Sequence, residues 1–181
     1  MKTATDQTLT KGVADLSLKI RFTALERNNL VVSTEAGLWV PAGYDPDDTP
    51  PLGSGEFDAV AGVSAGLSLY PIPAYLSSSF GIRLRGGIIT NEFYGHAEGG
   101  AFAHPKLLIR GRLDLVESTS DNTTTFDVME QVTEQGYITV GPGVSVIASS
   151  SWQLHVDARW TVKGRTTSKI KSVGAGIAYT W

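Results

Sequence analysis

Two residue pairs have the spacing that catalysis or metal binding would use. His96 and Glu98 stand two apart, as do His155 and Asp157. On an extended strand such residues project from the same face, so each pair could hold a metal ion or act as an acid–base couple. The chain has only 3 His, and no third ligand stands near either pair. Hydrogen bonding on a polar face is therefore the stronger reading, and no catalytic residue, metal site or cofactor is expected. The runs Ser77–Ser79 and Ser149–Ser151 lack the Gly-x-Ser-x-Gly frame of a nucleophile elbow and read as strand and turn. Asp45, Asp47 and Asp48 sit among prolines, where a solvated turn is the default over a calcium site. Asn122-Thr-Thr is a formal sequon that reads as a polar loop. With 0 Cys, a disulfide scaffold and Cys-ligated zinc are excluded. A net charge of -3 offers no basic field to nucleic acid.

The elements that would position these residues are strands. Hydrophobic residues make up 41% of the chain, but no run reaches the roughly 20 apolar residues of a membrane-spanning helix. Alternation of period two recurs instead. Ala14, Leu16, Leu18, Ile20 and Phe22 oppose Asp15, Ser17, Lys19 and Arg21. Further strands are expected over Leu30–Val40, Phe57–Leu69, Leu76–Arg85, Tyr94–Ala103, Leu107–Leu115, Ile138–Val146, Trp152–Val162 and Ser172–Trp181. Tyr94–Ala103 has the weakest pattern, and Pro142 inside the seventh run signals a bulge or an interrupted strand.

Short and longer connections alternate along the chain, and the last strand ends on Tyr179 and Trp181. Short turns on one rim and loops on the other suit an antiparallel up-and-down transmembrane β-barrel. A lipocalin-like barrel would instead turn the apolar face inward. The membrane polarity is favoured by the Gly- and Ser-rich polar face and by aromatics near strand ends: Phe22, Phe57, Trp152, Trp160, Tyr179 and Trp181. The lumen would then be lined by Asp15, Lys19, Arg21, Glu35, Asp58, Arg83, Arg85, Glu98, Arg110, Arg112, Asp114, His155, Asp157 and Arg159. These charges could select solutes or brace the interior as cross-strand pairs. Strand order further suggests a basic ladder of Arg83, Arg85, Arg110 and Arg112 facing an acidic one of Asp15, Glu35 and Asp58.

Three stretches resemble the meta-pathway phenol-degradation family of outer-membrane proteins. They are TKGVADLSLKIRF at Thr10–Phe22, VPAGYDPDDTPPLGSGEFD at Val40–Asp58, and a terminal block with GPGVSV at Gly141–Val146 and KGRTT at Lys163–Thr167. The resemblance implies a barrel of about twelve strands, of which residues 1–181 would be a single-domain C-terminal portion. Met1–Lys11 has no apolar core of a signal peptide, so a leader and an odd number of strands are expected to precede it. Without those strands the first one would be an unpaired edge. The expected function is passive transport of a small solute across the bacterial outer membrane, not an enzyme's. The alternative is a structural barrel whose long loops bind a partner. The expected partners are outer-membrane lipid and the barrel assembly machinery, which would read Tyr179 and Trp181.

Overall fold

The computed structural model describes residues 13, 15–43, 55–87, 90–119, 136–165 and 171–179. They form nine strands and, among the described residues, no helix. The strands are β1 (Leu16–Arg27), β2 (Leu30–Val40), β3 (Asp58–Ser68), β4 (Ala74–Leu84), β5 (Glu92–His104), β6 (Leu107–Ser118), β7 (Gly136–Ile147), β8 (Trp152–Arg165) and β9 (Lys171–Tyr179). Each strand pairs antiparallel with the next, giving one sheet in chain order from β1 to β9. The all-β, up-and-down architecture legible in the alternation is therefore what forms. The weakly patterned fifth run is a full strand, extending two residues before Tyr94 and one after Ala103.

Pro142 does not break β7. It stays in register with Gly111 of β6. On the β8 side the pairing passes from Val140–Trp160 to Gly143–Asp157, leaving Gly141 and Pro142 without register partners, and the proline has no N–H to donate. The strands come so close there that a side chain on Gly141 would collide with the Ala158 carbonyl. Register shifts occur between Thr23 and Leu25, Phe102 and His104, and Ile138 and Thr139.

The two faces of the sheet differ sharply. Among the described residues the only buried hydrophobic ones are Val60 (5% exposed) and Leu108 (7%). By strand parity both share the face of Asp58 and Arg110. The buried polar residues Ser33, Glu35, Asp58, Glu92 and Ser145 lie on that face too. The apolar face, including Leu18, Phe22, Leu38, Phe80, Val156 and Ile177, stands open. Lys19 and Arg21 of β1 and Ser172 of β9 line a single cavity, so the sheet rolls with its polar face inward. It is open between β1 and β9, which do not pair. Because every step reverses direction, β1 and β9 run parallel.

The two longest connections, residues 41–57 and 119–135, lie on the same rim, after even-numbered strands. The opposite rim carries Asn28–Asn29 and Pro105–Lys106. Asn28 has φ 52, a left-handed backbone that asparagine tolerates and that two-residue hairpins need. On this rim Trp152 and Tyr179 meet on the outer face with ring centroids 4.9 Å apart. Phe57 also sits at a strand end. Phe22 and Trp160, expected at strand ends, lie inside β1 and β8 because those strands run on to Arg27 and Arg165. Trp181, Ala14, the aspartates of the 44–54 loop, and Asn122 fall outside the described residues.

The register itself is testable. Ser33 of β2 and Ser64 of β3 are direct partners, and direct antiparallel partners lie within disulfide reach. In a chain without native cysteine, Ser33→Cys with Ser64→Cys should crosslink on mild oxidation. Ser33→Cys with Val63→Cys should not, because a one-residue offset puts the thiols on opposite faces. Non-reducing gel mobility after partial digestion distinguishes the two.

Candidate functional site

The inner face is organised in rows that run across the strands. In one, Arg21, Glu35, Gly62, Gly81 and Tyr94 are successive register partners from β1 to β5. The Tyr94 ring lies flat over both glycines, and its hydroxyl donates to Glu35 Oε1 at 3.0 Å. Arg21 Nη2 donates to the other carboxylate oxygen at 3.0 Å. A Cβ on Gly62 would come within 2.7 Å of the Tyr94 hydroxyl, and one on Gly81 would enter the ring. Two missing side chains thus let a β5 phenol reach a β2 carboxylate.

The same device recurs in a second row: Tyr75, Gly100, Arg110, Gly143, Asp157 and Gly174. Tyr75 covers Gly100 and donates to Glu98. Arg110 crosses over Gly143 and grips Asp157 with contacts of 2.8, 2.9 and 3.1 Å, the forked geometry that strengthens Arg–carboxylate pairs. A third row runs through Ser33, Ser64, Ser79, His96, Asp114, Thr139 and Thr161. Asp114 is its hub. It accepts from Arg112 through Nε and Nη2 at 2.9–3.0 Å, contacts His96 Nδ1 at 2.9 Å, and receives the Thr139 hydroxyl at 3.4 Å.

At the long-loop rim, Asp58 has no exposed side-chain surface and bonds Arg83, with Arg85 Nε at 3.7 Å. It also accepts the Gly86 amide at 3.3 Å. Arg85 donates to Glu92 at 2.8 Å and its amide to Asn91 Oδ1 at 2.9 Å. The bonds to Asp58 tie Arg83, Arg85 and Gly86 to β3, and those from Arg85 tie it to Asn91 and Glu92.

The anticipated separation of charge does not form. Arg83 and Arg85 bind Asp58, Arg110 binds Asp157, Arg112 binds Asp114, and Glu35 binds Arg21. The register places each arginine beside a carboxylate, so no basic ladder faces an acidic one. The two spaced pairs also divide. His96 goes to Asp114 and Glu98 to Tyr75, while His155 lies over Gly176 and Asp157 goes to Arg110. Asp15 sits just before β1, and Arg159 has no acidic partner among the described residues. Tyr179 is on the outer face against Trp152.

The sequence reading passed over the inward aromatics. Trp39 stands between two cations, Lys19 Nζ and the Arg83 guanidinium, each 4.9 Å from its ring. Trp39 has the parity of Glu35 and Gly37, Tyr75 that of Ser77, Tyr94 that of His96, and Tyr137 that of Thr139. Parity alone would have placed all four on the polar face. Glu92 and Glu117, which take Arg85 and Arg165, lie in parts of β5 and β6 that run beyond the alternation legible in the sequence.

At the middle of this face the side chains enclose a cavity of about 900 Å³. What the fold and site define is an antiparallel sheet with an exposed apolar exterior and a polar, ion-paired interior. Compared with protein-family models and with curated proteins, the chain matches none.

The Tyr94 crossing yields a double-mutant test. Gly81→Val should destabilise the full-length protein by about 1–3 kcal/mol through overpacking against the ring. In a Tyr94→Ala background the same substitution should cost less, because the ring is gone while the Ala61 carbonyl, 2.5 Å from the added Cβ, still crowds it. Urea unfolding followed by tryptophan fluorescence measures both arms.

Proposed function

We propose that this chain belongs to a bacterial outer-membrane β-barrel that passes small solutes passively along its polar interior. One observation carries the reading: burial is inverted. Large apolar side chains crowd the exposed face while carboxylates, arginines and serines fill the concave one. In water such a continuous apolar exterior drives aggregation, whereas against hydrocarbon it is the ordinary exterior of a membrane barrel. A soluble barrel has the opposite polarity.

Closure follows from strand direction. Parallel β1 and β9 would not close an all-antiparallel barrel by themselves, and on this reading an odd number of further strands stands between them. About three would give the twelve or so that the family resemblance implies. Open edges in lipid leave backbone donors and acceptors unsatisfied, which makes closure a requirement of the membrane setting. With the Trp152–Tyr179 rim periplasmic, the long connections lie outside. Tyr179 then belongs to the strand that we assign to recognition by the barrel assembly machinery, with Trp181 outside the described residues.

A second reading, a structural barrel without transport, draws support from the side chains that cross the inner face and brace it, Arg110 to Asp157 and Tyr94 to Glu35. Planar-bilayer recording of the full-length protein separates the two. Stepwise conductance is the expected result, and its absence together with no solute uptake would leave the structural reading standing. The membrane setting has its own test at Val156, mid-β8 and 52% exposed. Val156→Arg should cost about 2–4 kcal/mol of folding stability in lipid vesicles if the residue faces the bilayer midplane. A water-facing position would accept arginine with almost no change.

A further inference from the structure

The central cavity carries more positive than negative charge. Its walls include Lys19, Arg21, Arg112 and Arg159, against the carboxylates Glu35 and Asp114. Counting histidine as neutral, four cations face two anions among the described residues. The two carboxylates are also already engaged. Glu35 has Arg21 on one oxygen and the Tyr94 hydroxyl on the other. Asp114 accepts from Arg112 and Thr139 and contacts His96. Little acceptor capacity remains there for a passing cation.

The cations are differently placed. Lys19 has its ammonium against the Trp39 ring, 4.9 Å from the centroid, a contact that leaves its N–H donors available on the ring-free side. Arg159 has no acidic partner among the described residues. Arg21 keeps 65% of its side chain exposed although one nitrogen is bonded to Glu35. Donors from β1, β6 and β8 therefore converge on one space, where the only carboxylates are already hydrogen-bonded.

We infer that this cavity is an anion-selective constriction, taking small solutes that carry a carboxylate or phosphate group. The inference rests on the channel reading above and narrows it to a solute class. Rings of arginine and lysine are the usual means by which pores favour anions. Here the selective element is Arg159 together with Lys19, which forms no ion pair among the described residues although its charge acts on Glu35, not the arginines committed to Asp58, Asp114 and Asp157.

The test is the reversal potential of the full-length protein in planar bilayers under a KCl gradient, repeated with potassium acetate and potassium phosphate. Chloride is expected to permeate several-fold better than potassium. Lys19→Gln and Arg159→Gln should each lower that ratio several-fold, since one unit charge about 8 Å from the ion path in a water-like medium shifts chloride and potassium by about twofold each, in opposite senses. Neither side chain forms an ion pair among the described residues, although the Lys19 charge acts on Glu35, so both variants should keep the wild-type heat-modifiable gel shift. Arg112→Gln serves as the contrast, since it frees Asp114 and should shift selectivity toward cations while weakening the fold. Permeation of acetate but not phosphate would identify carboxylates as the class, and the reverse would identify phosphates. A conducting channel that is cation-selective or unselective, or one whose selectivity ignores Lys19 and Arg159, overturns this inference alone. A protein that never conducts overturns the channel reading and this inference with it.

Discussion

Space on the concave face is the constraint on which the rest of this structure depends. A rolled sheet has less room inside than outside, and the inner face here must hold arginines, carboxylates and tyrosines. Glycine resolves the conflict. Where Gly62 and Gly81 remove two side chains, Tyr94 lies down and reaches Glu35. Where Gly143 removes one, Arg110 reaches Asp157. Upright, these side chains would collide with one another and leave their charges unpaired. Lying along the rows, they pair across one or more intervening strands and tie the sheet together perpendicular to its strands.

This arrangement makes bracing and lining the same interaction. Each arginine that stiffens the sheet is also part of the polar inner wall, and its carboxylate is thereby held by hydrogen bonds. The electrostatic character of the cavity is set by whatever the bracing leaves over, chiefly Lys19 and Arg159. The long-loop rim follows the same economy of space. Asp58 is fully buried, and a buried carboxylate is tolerable only with charged and hydrogen-bonded partners. It has Arg83, Arg85 and the Gly86 amide.

The outer face obeys a simpler rule. Its residues need only be apolar and of strand-forming type, and Phe80 stacked on Phe93 at 5.9 Å is typical of its contacts. Few interactions there specify a unique neighbour. Register is instead pinned on the inner face, where each glycine must fall opposite the side chain that covers it. Moving β4 by one residue against β5 would set Ile82 or Phe80 in the place of Gly81 and reverse its faces.

By itself, the sequence determined the strands, their number among the described residues, the face each side chain takes and the rim that carries the long connections. All of these follow from a period of two and from turn chemistry, which are local properties. It even determined that Trp39, Tyr75, Tyr94 and Tyr137 point inward, though only strict counting of parity reveals it. The tertiary structure alone decided which charges meet. The sequence suggested opposed ladders of arginine and aspartate because strand order was legible while register was not. The register shifts at Thr23/Leu25, Phe102/His104 and Ile138/Thr139 change which residues share a row, and a pairing that spans three strands depends on every register between them. Arg110 finds Asp157 only after the β7–β8 offset is set, and Tyr94 finds Glu35 only once the registers from β2 to β5 are fixed.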